Sequence, residues 1–128
     1  MSRVIVDASA LAAFVFHEPD GDAIGARLQG ADVFAPALLK FEMANIAWKK
    51  ARREPQDAAS IVANLTAAIS DRAGISWHDV DIADVTLIAQ ALGISAYDAS
   101  YLWLAGFLGA DLVTLDQRLA RLNAAMAT

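Results

Sequence analysis

The sequence has no cysteine and few histidines, and these shortages exclude several kinds of chemistry. Without cysteine, the chain cannot form disulfide bonds, thiolate nucleophiles or cysteine-based zinc sites, which agrees with a reducing cytosol. The two histidines, His17 and His78, stand at no motif spacing from a serine such as Ser9, which disfavours a serine hydrolase.

Long apolar runs are absent too. The longest uncharged apolar run, residues 99–110, is too short to span a bilayer and indicates a buried helix. Asp7 interrupts the first apolar stretch and no clean cleavage site follows it, which disfavours a signal peptide. We therefore expect a cytoplasmic protein without a membrane segment.

Positive charge is scarce, because 10 lysines and arginines stand against 15 acids and give a net charge of −5. This balance argues against a nucleic-acid partner, since phosphate binding normally recruits a surplus of cations. The average conceals an uneven distribution, with cations concentrated at Lys49, Lys50, Arg52, Arg53, Arg118 and Arg121. Local rather than net charge therefore decides whether an anionic partner can bind.

The sequence is rich in apolar residues, and strand-like stretches alternate with helical patterns along it. Hydrophobic residues make up 57% of it, against a usual share of about 45 to 50%, so most segments need a buried face. Strand-like stretches occupy residues 3–6, 32–36, 75–80 and 111–116. Helical patterns cover residues 8–16, 22–28, 37–53, 55–72, 83–92, 97–110 and 117–125. This alternation predicts one α/β domain over residues 1–128, with a small parallel sheet of about four to five strands flanked by helices.

Two acids, Asp7 and Asp116, directly follow predicted strands. Ligands of open parallel sheets bind beyond the carboxyl ends of the strands, so these carboxylates should emerge at one edge of the sheet. Each could instead serve only as the N-cap of the next helix, a role that aspartate favours. Asp98 follows Ser95 in a Ser-x-x-Asp pattern, which equally matches a capping box. For these acids the sequence leaves the capping and the functional interpretations open.

Glu42 is harder to explain as a cap, because it lies inside a predicted helix among apolar residues. It shares a helix face with Leu38, Asn45 and Lys49, and we expect its carboxylate at or near a buried surface. Burial without a partner would carry a large desolvation penalty, and Lys40 lies on the wrong face to pair with it. If Glu42 converges with the aspartates, they form an oxygen-only site suited to Mg²⁺ or Mn²⁺.

Four stretches in order resemble the acidic motifs of the PIN-domain family, and they are VIVDASAL, FAPALLKFEMANIAWK, ISAYDASYLWLA and DLVTLDQRL. They are similar in particular to the small VapC-type toxins of toxin–antitoxin pairs. The resemblance implies a three-layer α/β/α fold, Mg²⁺-dependent endoribonuclease activity with Mn²⁺ as a substitute, and inhibition by a cognate antitoxin. It places the metal-chelating acids at Asp7, Glu42, Asp98 and Asp116, and supporting hydroxyls at Ser9 and Thr114.

We predict from this resemblance that Asp7, Asp98 and Asp116 bind Mg²⁺, while Glu42 completes the site or orients the attacking water. Asn45 is a further supporting polar residue on the same helix face as Glu42.

Arg118 and Arg121 are expected to contact the RNA backbone, because they follow Asp116 within side-chain reach of a bound chain. The cations of residues 49–53 are interpreted instead as a solvated helix end, favourably placed near the C-terminal helix dipole. Trp48, Trp77 and Trp103 are predicted to pack in the core rather than to stack on bases.

The main alternative is a catalytically inactive PIN-like module that binds metal or protein. Phosphoryl-receiver domains and haloacid-dehalogenase-type phosphatases fit less well. A receiver domain needs a lysine near the last strand, yet none follows Lys50, and the phosphatase needs a second aspartate where Ser9 stands. The surplus apolar content predicts a homodimer, and the acidic pocket predicts an antitoxin segment of basic character.

Overall fold

The central strands of the protein are short, apolar and parallel. The computed structural model describes residues 2–127 and contains the strands β1 (Arg3–Val6), β2 (Asp32–Pro36), β3 (Ile75–His78) and β4 (Asp111–Val113). They form one sheet in the order β3-β2-β1-β4, and every pairing is parallel. Ile5 of β1 pairs with Phe34 on one side and Leu112 on the other. The predicted parallel α/β sheet is thus confirmed, with two strands shorter than expected.

The sheet is flanked by helices. These are α1 (Ala8–Val15), α2 (Gly21–Leu28), α3 (Leu38–Arg53), α4 (Ala58–Ile69), α5 (Ile82–Leu92), α6 (Ala96–Leu108) and α7 (Gln117–Met126). The single helix predicted over residues 55–72 is wrong at both ends, because it starts with a 3-10 turn at Pro55–Asp57 and stops at Ile69. Ser70 has extended backbone and Gly74 lies in the left-handed region, so the chain turns there into β3.

The core includes residues of β1, α3 and α6 in one buried cluster. Ile5 and Val6 are completely buried, as are Leu39 and Met43 of α3 and Leu104 of α6. A strand in the middle of a parallel sheet is covered on both faces and therefore needs apolar residues at successive positions. The run VIV before Asp7 meets this need, so Asp7 follows directly on the most buried strand.

The prediction that all three tryptophans pack in the core is wrong for Trp48. Its side chain is 54% exposed, whereas Trp77 and Trp103 are partly buried against the core. Helix α3 turns Leu39, Met43 and Ala47 inward, and Trp48 lies about 100° around the helix from Ala47. The helix period therefore turns this ring toward solvent.

No helix among residues 2–127 is long and apolar enough to cross a membrane.

Candidate active site

Asp7 is a buried carboxylate held by hydrogen bonds at the end of β1. It is 5% exposed and caps α1, its Oδ1 accepting from the N–H of Ala10 at 3.0 Å. The same oxygen accepts from the Ser9 hydroxyl at 2.8 Å, and Oδ2 accepts from Thr114 Oγ1 at 2.5 Å. The capping interpretation is therefore confirmed for Asp7, and these bonds also fix the carboxylate at the edge of the sheet.

The two hydroxyls of Ser9 and Thr114 join Asp7 to the segment that follows β4. Ser9 Oγ accepts from the N–H of Leu115 at 3.0 Å, and Thr114 Oγ1 accepts from the N–H of Asp116 at 3.0 Å. Asp116 caps α7 by accepting from the N–H of Leu119 at 3.1 Å. Asp7 and Asp116 thus lie at the same sheet edge and are connected through one hydrogen-bonded link, Thr114.

Asp98 stands in the first turn of α6, where its N–H donates to the Ser95 side chain at 3.1 Å. Burial raises the pKa of the Asp98 carboxyl, the negative charges of Asp116 and Asp7 raise it further, and Arg118 lowers it. The charges of both strand-end acids therefore act on Asp98, which lies in the first turn of a helix capped by Ser95. Arg118 also donates to the carbonyl of Gly93 at 3.3 Å, which holds its guanidinium near the acids.

Glu42 has a buried partner that the sequence reasoning missed, Tyr101. The Tyr101 hydroxyl donates to Glu42 Oε1 at 2.5 Å, and the tyrosine is 2% exposed. Burial raises the pKa of Glu42, the tyrosine bond lowers it, and the charges of Asp98 and Asp7 raise it again. Burial and the charge of Glu42 also raise the pKa of the Tyr101 hydroxyl. The signal was present, since Tyr101 lies three residues after Asp98 on one helix face.

Replacing Tyr101 by phenylalanine should lower the free energy of unfolding by about 1.5–3 kcal/mol at pH 7, because a hydrogen bond to a charged group is lost. Urea unfolding measures this change. Tyr97→Phe is the control, because Tyr97 is 65% exposed, and its effect should stay within about 0.5 kcal/mol. Equal effects of the two substitutions would contradict a specific role for the Tyr101 hydroxyl.

The charges of the four acids act on one another, because Asp98 interacts with Asp7 and Asp116, and Glu42 with Asp98 and Asp7. As placed, no three acidic or histidine side chains of residues 2–127 lie close enough to hold a metal ion together. Mg²⁺ usually keeps several waters and binds only one or two carboxylates, so it does not need such a set. The oxygen-only donors and their mutual repulsion fit a hydrated, hard dication.

Two other residues from the sequence prediction, Asn45 and Arg121, lie on α3 and α7. Asn45 is exposed on α3 and lines a cavity of about 360 Å³ with Leu38, Phe41, Glu42 and Tyr97. Arg121 is exposed on α7, beyond Arg118. Within residues 2–127, neither Asn45 nor Arg121 makes a side-chain hydrogen bond or ion pair, so the structure does not tie them to the acids.

Comparison with known proteins gives consistent results. Residues 4–125 match the PIN domain family. The chain is 33% identical to Ribonuclease VapC3 of Pyrobaculum aerophilum, over 98% of this chain and 98% of that protein. The crystal structure of PAE2754 from Pyrobaculum aerophilum superimposes with a TM-score of 0.73 at 27% identity, covering 98% of this chain and 97% of that one.

A more distant structure has the same fold. The sarcin–ricin loop cleaving toxin VapC20 of Mycobacterium tuberculosis matches with a TM-score of 0.66 at 15% identity, over 93% of this chain and 94% of that chain. The family match and the relative of nearly equal length agree with the parallel sheet and the acids at its edge. The chain belongs to the PIN-domain family and is of the VapC type.

Proposed function

We propose that this protein is a metal-dependent endoribonuclease and the toxin of a toxin–antitoxin pair. The observation that carries the proposal is the placement of Asp7, a buried carboxylate fixed by Ser9 and Thr114, whose charge raises the pKa of Asp98. A carboxylate that only capped α1 would need neither hydroxyl. The similarity to a ribonuclease over 98% of the chain supports the same assignment.

The proposed roles follow from the environment of each acid. Asp7, Asp98 and Asp116 would hold a hydrated Mg²⁺ or Mn²⁺, one or two of them directly and the rest through its waters, and the ion would supply a Lewis acid for the phosphodiester and lower the pKa of water. Glu42 has one oxygen engaged by Tyr101, which leaves the other free to orient the attacking water. The raised pKa of Glu42 makes it a better proton acceptor than an ordinary carboxylate. Ser9 and Thr114 position Asp7.

Two protein partners are part of the proposal. Large apolar side chains remain exposed in the monomer, among them Phe41 at 77%, Ile82 at 69% and Tyr97 at 65%. Phe41 and Tyr97 line one cavity and Tyr97 and Ile82 line another, so the three form a contiguous apolar patch. Such a patch favours an interface, which supports a homodimer. The negative charge of the acids supports a cognate antitoxin that places a basic segment beside them, where its cations would take the place of the metal.

The direct test incubates the purified protein with RNA in Mg²⁺ and in excess EDTA. We expect cleavage in Mg²⁺ or Mn²⁺, none in EDTA, and recovery when Mg²⁺ is restored, because the acids need a dication to stabilise the reacting phosphate. Mg²⁺ binding in calorimetry without cleavage of any RNA would favour the alternative, a catalytically inactive PIN-like module. Cleavage that persists in EDTA would contradict the proposed chemistry.

A further inference from the structure

The C-terminal half of α3 carries cations that the proposed catalytic residues do not use. Lys49, Arg52 and Arg53 line a surface cavity of about 280 Å³. Within residues 2–127, none of these three side chains forms a hydrogen bond or an ion pair. The cavity is therefore walled by positive charge that no described part of the chain neutralises.

The neighbouring Lys50 differs from these three cations. Its ammonium lies 3.5 Å from the Glu18 carboxylate and 5.5 Å from the centroid of the Phe16 ring. In an α-helix, Lys50 also lies about 100° around the axis from Lys49, away from the cavity. The charges of residues 49–53 are thus divided between a structural contact and an open cleft, and the interpretation as a uniformly solvated helix end is too simple.

Helix geometry places the cleft in line with the proposed active site. Glu42, Lys49 and Arg53 are separated by seven and four residues, so they fall on one face of α3. At about 1.5 Å per residue, Lys49 lies about 10 Å and Arg53 about 16 Å along the axis from Glu42. Asn45 lies between them on the same side. One face of α3 therefore runs from the carboxylates to the cations over the length of a few nucleotides.

An exposed aromatic ring borders the cleft. Trp48 is 54% exposed, and the Arg52 guanidinium lies 4.9 Å from its ring centroid. Proteins that bind single-stranded nucleic acid combine a cationic groove along the backbone with aromatic rings on which bases stack. This combination favours RNA over an acidic peptide, which would use the cations but not the ring.

We propose that the cleft of Lys49, Arg52 and Arg53 binds phosphates of single-stranded RNA beside the cleavage site, with the chain running along α3 from Glu42. The inference rests on the proposed ribonuclease function and specifies the path of the RNA along the protein surface. It also explains how a protein with a net charge of −5 attracts RNA, since the cations act locally while the acids are neutralised by metal.

The test measures the affinity of a fluorescent single-stranded RNA in EDTA at several salt concentrations. Combined replacement of Lys49, Arg52 and Arg53 by glutamine should weaken binding at least about tenfold and reduce the salt slope by about 2, near 0.7 per lost phosphate contact. Lys50→Gln is the matched control and should change affinity less than about twofold, because that charge faces Glu18. Circular dichroism verifies that each variant is folded, and Arg53→Gln alone, with a slope change of about 0.7, replaces the triple variant if it unfolds.

An unchanged salt slope in the glutamine variants, or equal weakening by Lys50→Gln, would refute RNA binding in the cleft. Tighter binding of polyglutamate than of RNA would assign the cleft to an acidic protein instead and would also overturn it. Binding is read without cleavage, so it separates the two proposals. Absence of cleavage by the wild type would refute the ribonuclease, whereas cleavage with an unchanged KM in the triple variant would refute only the cleft.

Discussion

Replacement of Asp7 by asparagine is expected to reduce Mg²⁺-dependent RNA cleavage about 10³-fold, equivalent to about 4 kcal/mol of transition-state stabilisation. The substitution removes one negative charge from the proposed metal site while leaving an oxygen that can accept from Ser9 and from the N–H of Ala10. The helix cap therefore survives, and the loss should appear in kcat rather than in folding. Initial cleavage rates in saturating Mg²⁺, with thermal unfolding measured in parallel, give both quantities.

Asp111→Asn is the matched control for this substitution. Asp111 is exposed at the start of β4, so it lies at the opposite edge of the sheet from Asp7. The Asp111→Asn variant should cleave RNA at a rate within about twofold of the wild type, because charges beyond a Debye length are largely screened. Full activity of Asp7→Asn, or equal loss in both variants, would refute the role assigned to Asp7.

Mg²⁺ should raise the stability of the wild type by about 2.7 kcal/mol at one hundred times its dissociation constant. Asp98→Asn should change the melting temperature in opposite directions without and with Mg²⁺. Without metal it should raise the melting temperature, because it removes a carboxylate that Asp116 and Asp7 repel. With Mg²⁺ the melting temperature of the variant should lie below that of the wild type, because one proposed metal ligand is lost. Differential scanning fluorimetry with Mg²⁺ and with EDTA measures this reversal.

The sign of the pH dependence follows from the raised pKa values of Glu42 and Asp98, whose ordinary values are 4.5 and 3.8. Their native state binds more protons than the unfolded state between the ordinary and the raised pKa. In EDTA their contribution to stability therefore falls as pH rises through this window and then stays constant. The advantage of Asp98→Asn over the wild type should grow with pH in EDTA, whereas a constant or shrinking advantage would contradict the repulsion.

The fold could be predicted because the sequence patterns that mark its strands and helices are local. Each strand is a short apolar run, and each helix has its own period, cap or terminating glycine, such as Gly93. Boundaries were predicted wrongly where backbone geometry decides them, as at Ser70, where the expected helix over residues 55–72 stops early. Trp48 shows the same limit, because apolar neighbours in sequence do not say which way a side chain faces.

The sequence by itself determined the acids, their order and the place of Asp7 and Asp116 after strands, because parallel strands bring their carboxyl ends to one edge. Only the tertiary structure decided their partners. Tyr101 binds Glu42 across 59 residues of sequence, and Thr114 binds Asp7 across 107. Such bonds depend on how helices and strands pack, and no local pattern records that packing. The same holds for the division of the cations on α3 between Glu18 and an open cleft.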